Sequence, residues 1–268
     1  MADDTQPTES FWDHLDALRG VVVRIVAVMA VLAVAAFIAM PWVFDHVIMA
    51  PCSDAFPTYR LFDAVAALAG DTEGSGTFSV DIVSLELTSQ IFVHFSAACW
   101  CAVIAAFPII IYLLWGFVAP ALYENEKRGI VRAFVFGNVM FYLGVAAGYF
   151  LVFPLCVRFL AGYQLSDAIR PIVSLDSYME NFFTLLLIMG AIFELPVLAW
   201  LLGKTGILTR GFFTRYRRHA IVALAVIAAL ITPTGDPFTL LIVFIPIYAL
   251  WEISSRLVPK EVISQTDK

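Results

Sequence analysis

The sequence predicts an all-α protein that crosses a membrane several times, and three observations predict it. Of 268 residues, 61% are hydrophobic and only 14% charged, far more apolar surface than a water-soluble chain of this length can hide. The apolar residues gather into long runs, beginning with Val21 to Phe44, and about 20 residues at helical rise cross the ~30 Å hydrocarbon core. Lys and Arg fall on one side of these runs. With the N-terminus in the cytoplasm, only Arg60, Arg158 and Arg170 of the 16 lie outside, the positive-inside pattern with both termini cytoplasmic.

Residues 1–20 read as a cytoplasmic amphipathic segment lying on the membrane, with Phe11, Leu15 and Leu18 on one helical stripe and Asp13, Asp16 and Arg19 on the other side. After the first spanning run, residues 45–90 form an extracytoplasmic cap. It holds an amphipathic piece (Tyr59 to Ala69), a turn over Asp71 to Gly76, and an extended stretch from Phe78 to Leu87. Three more spanning runs follow, Ile91 to Val118, Ile130 to Phe153 and Phe182 to Leu202. Pro108, Pro154 and Pro196 should bend them. Residues 119–129 and 203–218 are cytoplasmic loops, and 252–268 a cytoplasmic tail. The last two apolar runs, His219 to Thr232 and Phe238 to Trp251, have 14 residues each, about 21 Å of helix. They either thin the bilayer or fold as a re-entrant hairpin.

Several residues stand out as candidates for function. In the loop from Trp115 to Arg128, Glu124 and Glu126 set two carboxylates beside Lys127 and Arg128 at the membrane surface, an arrangement suited to a basic peptide. The net charge of −6, with the cations dispersed among loops, argues against nucleic acid. Glu194 lies inside an apolar run, where an ionisable group costs roughly 2.5–3.5 kcal/mol and so faces a wet cavity or a partner. Asp236 sits in the turn before the last run and suits a helix cap. The histidines and Asn125, Asn138 and Asn181 are scattered and read as structural. Cys52, Cys99, Cys101 and Cys156 lack metal-type spacing and read as buried thiols, with a Cys52–Cys156 disulfide left open. The polar, acidic first twenty residues carry no cleavable signal. No nucleophile with a base and no metal-ligand set appears, so neither an enzyme nor a cofactor is expected. A proton-coupled transporter of a small solute is the alternative reading, weakened by the absence of an internal repeat.

Four motifs then occur in order along nearly the whole chain. They are His14-Leu15-Asp16-Ala17-Leu18-Arg19, Phe117-Val118-Ala119-Pro120-Ala121-Leu122-Tyr123-Glu124-Asn125-Glu126-Lys127-Arg128, Phe193-Glu194-Leu195-Pro196, and the turn from Thr232 to Phe238. On these the chain resembles the TatC family, the multispanning subunits of the twin-arginine protein translocase. The resemblance implies six helices in a bent, cupped shape, the last two short but spanning, in the bacterial cytoplasmic (inner) membrane. It also implies a cytoplasmic site for twin-arginine signal peptides of folded cargo, TatA- and TatB-like single-span partners, assembly with other copies of the chain, and energy from the proton-motive force. Glu126 matches the loop glutamate that contacts the arginine pair, and Phe117 and Pro120 belong to the same motif. Arg19 closes the first motif, Glu194 matches the intramembrane glutamate, and Pro51 and Asp236 match positions on the outer side. The chain departs from the family twice. The second signal-contacting glutamate falls on Ala17, leaving Asp16, about 100° around the helix, and Glu124 as candidates for its role. In the partner site Thr232 is kept, but Leu240 stands where a glutamine is frequent.

Overall fold

The computed structural model describes residues 11–53, 55–68, 80–118, 127–163, 166, 172–204, 206–232 and 236–258. In chain order the helices are α1 (Phe11–Val43), α2 (Pro57–Leu68), α3 (Ser89–Val118), α4 (Lys127–Ala147), α5 (Phe153–Gly162), α6 (Leu175–Phe193), α7 (Leu195–Lys204), α8 (Arg210–Arg215), α9 (Arg217–Ile231) and α10 (Pro237–Leu257). Wider π-helical turns join α1 to the cap at Phe44–Ile48 and α4 to α5 at Gly148–Val152. Two short strands, β1 (Ile82–Val83) and β2 (Val173–Ser174), pair in parallel. Among the described residues, five helical stretches are long and apolar enough to cross a membrane: Leu15–Cys52, Ser89–Leu114, Ala133–Gly162, Leu175–Lys204 and Pro237–Leu257.

Helix α6 is the centre of the fold. Tyr178, Met179, Phe182, Phe183, Leu185, Leu186 and Met189 are all buried, and the helix touches α3, α4, α5, α7, α9 and α10. Its closest neighbour is α4, which approaches through glycine. A Cβ built on Gly144 would lie 2.8 Å from the Cα of Gly190, and one on Gly148 would lie 3.2 Å from the Cα of Leu186. These two glycines, four residues apart, give the small-residue seam that lets helix backbones meet where lipid supplies no hydrophobic drive.

Three prolines mark bends, and the carbonyls they strand are collected by other elements. A helical proline has no N–H for the carbonyl four residues earlier. For Pro41 that carbonyl is Phe37 C=O, which accepts from His94 Nε2–H of α3 at 2.9 Å, with the two rings stacked at 4.0 Å. For Pro108 it is Ile104 C=O, which accepts from the Tyr142 hydroxyl of α4 at 3.1 Å. For Pro154 it is Phe150 C=O, which accepts from the Thr58 hydroxyl of α2. At the end of the first π-turn, Tyr149 and Tyr178 donate to the carbonyls of Val47 and Ile48. The breaks at Pro41, Pro108 and Pro154 are thus also ties between elements.

Several boundaries differ from those expected of the sequence. The N-terminal amphipathic stretch is not a separate surface helix from Phe11 onward. It is the start of the 33-residue α1, because nothing between Phe11 and Val21 breaks a helix and Gly20 is tolerated within one. The fourth spanning run begins at Leu175 rather than Phe182, started by Ser174, whose side chain accepts from Ser177 N–H. The last helix is not short. It runs 21 residues, about 31 Å, because Glu252 to Arg256 end the apolar run without ending helical backbone. Only α9 is short, at 15 residues. The extended stretch before α3 narrows to β1. All four cysteines are free thiols, so the Cys52–Cys156 pairing is not made. The Asp71 to Gly76 turn lies outside the described residues.

The proline ties can be tested directly. Tyr142→Phe orphans the Ile104 carbonyl and should cost about 1–3 kcal/mol, seen as a lower midpoint of thermal unfolding of the purified protein. Pro108→Ala returns the missing N–H and should restore much of that loss. Equal midpoints for wild type and Tyr142→Phe would show that the carbonyl was not held there.

Candidate functional site

The end of the bundle that carries the start of α1 and the end of α3 contains an open groove of about 680 Å³. Its walls come from two matched stripes. On α1 they are Asp16, Ala17, Gly20, Val21 and Arg24, and on α3 they are Tyr112, Leu113, Gly116 and Phe117. Both follow the i, i+1, i+4, i+5 spacing that puts residues on one helix face. The two glycines make the space, since a Cβ on Gly20 or on Gly116 would meet nothing within 4 Å. Tyr112 is braced from behind by Phe134 of α4, edge-on at 6.2 Å.

The groove is apolar along its floor and charged at its rim. Asp16 is exposed and has no ion-pair partner among the described residues, so its carboxylate is free to take a cation from outside. The structure therefore brings Asp16 and Phe117 together, from sites about a hundred residues apart in the chain. Arg19 is exposed on the same helix but does not line the groove. Glu124, Glu126 and Pro120 lie outside the described residues. The chain enters that stretch at Val118, one residue beyond Phe117, and leaves it at Lys127, where α4 begins. Sequence reasoning missed Gly20, Arg24, Tyr112 and Gly116 as wall residues. The Asp16-Gly20-Arg24 spacing was a usable signal for one wall, but nothing local identifies α3 as the other.

Glu194 occupies the one-residue break between α6 and α7. Pro196 denies the helix its next donor, and the chain turns with Glu194 N–H donating to Ala191 C=O at 3.1 Å. The helix resumes where Leu198 N–H reaches Glu194 C=O at 2.9 Å. The carboxylate points at α4 across Gly137, where a Cβ would come within 3.1 Å of Oε2. Oε1 has no hydrogen-bond partner among the described residues, and neither does Asn138 Oδ1 beside Gly137. Asn138 donates only to Phe134 C=O at 2.9 Å. Two buried polar oxygens, Glu194 Oε1 and Asn138 Oδ1, thus have unused capacity, and Asn138 has more to offer than its scattered position in the sequence suggested.

Thr232 is not part of that pair. It is buried at the end of α9, with its hydroxyl donating to Ala228 C=O at 3.0 Å, and α9 packs on α6, α8 and α10 rather than at the Gly137 seam. Leu240 packs against the main core. At the cap end, Pro51 is buried and its carbonyl lies 2.9 Å from the Tyr59 hydroxyl, which also reaches Pro154 C=O at 3.1 Å. Asp236 caps α10 by accepting from Thr239 N–H at 2.7 Å. Next to it, Phe238 stacks on Phe159 of α5 at 3.6 Å. Pro51 is thus tied through Tyr59 to Pro154 of α5, while Asp236 starts α10, whose Phe238 packs on the same helix.

Comparison with known proteins places this geometry in context. The family model for Sec-independent protein translocase protein (TatC) matches residues 13–246. The Sec-independent protein translocase protein TatC of Blattabacterium sp. subsp. Periplaneta americana is 31% identical over 251 residues, covering 91% of this chain and 92% of that protein. The protein of the same name from Deinococcus radiodurans is 32% identical over 244 residues, covering 90% of this chain and 83% of its own length. A crystal structure of the twin arginine translocase receptor TatC in DDM superposes with a TM-score of 0.73 at 28% identity, covering 91% of this chain and 98% of that one.

Proposed function

The chain belongs to the TatC family of Sec-independent protein translocase proteins, and from that premise we propose that it is the receptor for twin-arginine signal peptides and the core of the machine that exports folded proteins. One observation carries the reading. The α1–α3 groove gathers an unpaired carboxylate, an apolar floor and open glycine-lined space where the chain passes into the stretch containing Glu124 and Glu126. A signal peptide presents an arginine pair followed by apolar residues, and both halves have a counterpart here. Guanidinium groups make bidentate, planar bonds to carboxylates that lysine cannot copy. Glu126, with Asp16 or Glu124 as its second carboxylate, holds the arginine pair, while Phe117 and Pro120 shape the site and Arg19 sets the charge at its edge.

The proposed topology has six spans with both termini in the cytoplasm, α9 being the fifth in chain order, between α6–α7 and α10. The 15 residues of α9 give about 22 Å of helix, so the bilayer thins beside it. The basic start of α9 and the Asp16 end of the groove then share the cytoplasmic face, in keeping with the distribution of Lys and Arg.

Glu194 is the second part of the mechanism. With the signal's apolar stretch in the concave face, α4 and the α6–α7 break part, and the buried oxygens of Glu194 and Asn138, which have no hydrogen-bond partner among the described residues, meet a polar group on the spanning helix of a recruited TatA- or TatB-like subunit. Each then gains a partner that lipid cannot supply. Thr232 at the end of α9, Asp236 at the start of α10 and the contacts of Pro51 with α5 position the α9–α10 pair for that encounter. The proton-motive force drives the step, and several copies of the chain assemble around it.

Labelled twin-arginine peptide should bind the purified protein, with twin-lysine peptide and the Glu126→Gln variant each weaker by tenfold or more. Equal binding in all three would remove the carboxylate fork from the account. Glu194→Ala should leave peptide binding intact but lower export of a folded reporter several-fold, and normal export by a correctly assembled variant would separate Glu194 from partner recruitment.

A further inference from the structure

The α1–α3 groove carries a second charge that the docking of an arginine pair does not use. Arg24 lies on the same α1 wall as Asp16, with Gly20 between them, and eight residues of helix set the two about 12 Å apart along the axis. Asp16 stands near the start of α1, while Arg24 lies closer to the cap, within the spanning stretch that begins at Leu15. Like Asp16, Arg24 is exposed and makes no hydrogen bond or ion pair among the described residues.

An arginine near the end of a spanning helix commonly carries its charge back to the headgroups along an extended stem. This one forms part of the groove wall, so a ligand lying in the groove meets it. Apart from Asp16 and Arg24, the lining offers a single polar side chain, Tyr112; the rest is glycine, Ala17, Val21, Leu113 and Phe117. The groove is therefore electrically polar along its length, negative toward the start of α1 and positive toward the cap. A ligand whose cations sit at Asp16 finds a like charge waiting about 12 Å further on. Juxtaposed like charges in a binding site count against a ligand as surely as paired ones favour it.

We propose that Arg24 is a specificity-determining residue of the groove, one that rejects a signal peptide carrying a basic residue about 12 Å beyond its arginine pair and favours an acidic one there. The inference rests on the signal-peptide reading of the groove and adds to it a charge requirement at a second point. That distance is about four residues of extended chain or about eight of helix, so the position that Arg24 reads also reports the conformation of the bound peptide.

A labelled twin-arginine peptide, and versions carrying Lys, Gln or Asp at each position in turn after the arginine pair, would be bound to the purified full chain in an uncharged detergent, where no lipid phosphate competes for Arg24. At one position, about four or about eight residues past the pair, Lys should weaken binding and Asp strengthen it relative to Gln. Each effect should be about fivefold, the upper range for one accessible charge pair. Arg24→Lys should keep the preference, Arg24→Gln should abolish it, and Arg24→Glu should reverse it, a change of sign that an arginine serving only to hold the helix would not give. Every comparison is a ratio between peptides on one variant, so a general loss of affinity does not disturb it. A flat profile along the peptide, or a preference that survives Arg24→Gln, would overturn the inference alone if the parent peptide still binds in preference to its twin-lysine form. Failure of the parent peptide to show that selectivity would overturn the signal-peptide reading, and this inference with it.

Discussion

A helix that crosses a bilayer has no water to satisfy a carbonyl that loses its donor, and every proline inside such a helix creates one. Pro41, Pro108 and Pro154 leave Phe37, Ile104 and Phe150 in that position. His94, Tyr142 and Thr58 answer them from α3, α4 and α2. An orphaned carbonyl costs about 1–3 kcal/mol when buried, so these side chains are fixed in place as firmly as core residues. The bends and the packing are consequently one feature. Where α1 bends it is held to α3, where α3 bends it is held to α4, and where α4 gives way to α5 it is held to the cap.

The functional geometry inherits this arrangement. The groove needs α1 and α3 to run side by side at the end away from the cap, which the His94 tie sets from the other end. Glu194 needs a break in the α6–α7 helix, which Pro196 makes, and a space opposite it, which Gly137 leaves. Gly144 and Gly148 on the same helix draw α4 onto α6, so a carboxylate one turn further along faces a close neighbour and not lipid. The polar group at membrane depth is thus a product of the same small-residue seam that holds the core.

Much of this was legible from the residues and some was not. Long apolar runs gave the membrane class and most of the spans, because hydropathy is a property of local sequence. The start of α6 at Leu175 and the end of α10 at Leu257 were missed for the converse reason. Polar residues such as Asp176, Ser177, Glu252 and Ser255 end a hydropathy run but not helical backbone. Prolines announced the bends, yet the partners of their stranded carbonyls are separated from them by as many as 92 residues, as Thr58 is from Phe150. No periodicity reports such a pairing. The resemblance assigns Asp16 and Phe117 to one signal-peptide site, and the fold sets both on the walls of one groove. Glu194 and Thr232 were singled out on separate motifs, and they sit on separate elements, Glu194 at the α6–α7 break and Thr232 at the end of α9.

What remains at the centre is a claim of place: the signal peptide lies in the groove between α1 and α3. Photoreactive residues introduced at Gly20 and Gly116, where added side chains have room, and at Trp42 near the cap provide a direct measure. Irradiated with a twin-arginine precursor, the first two positions should cross-link to the region following the arginine pair, and a twin-arginine peptide but not a twin-lysine peptide should compete the product away. Cross-links from Trp42 alone, or products at Gly20 and Gly116 that the twin-lysine peptide removes equally well, would contradict it.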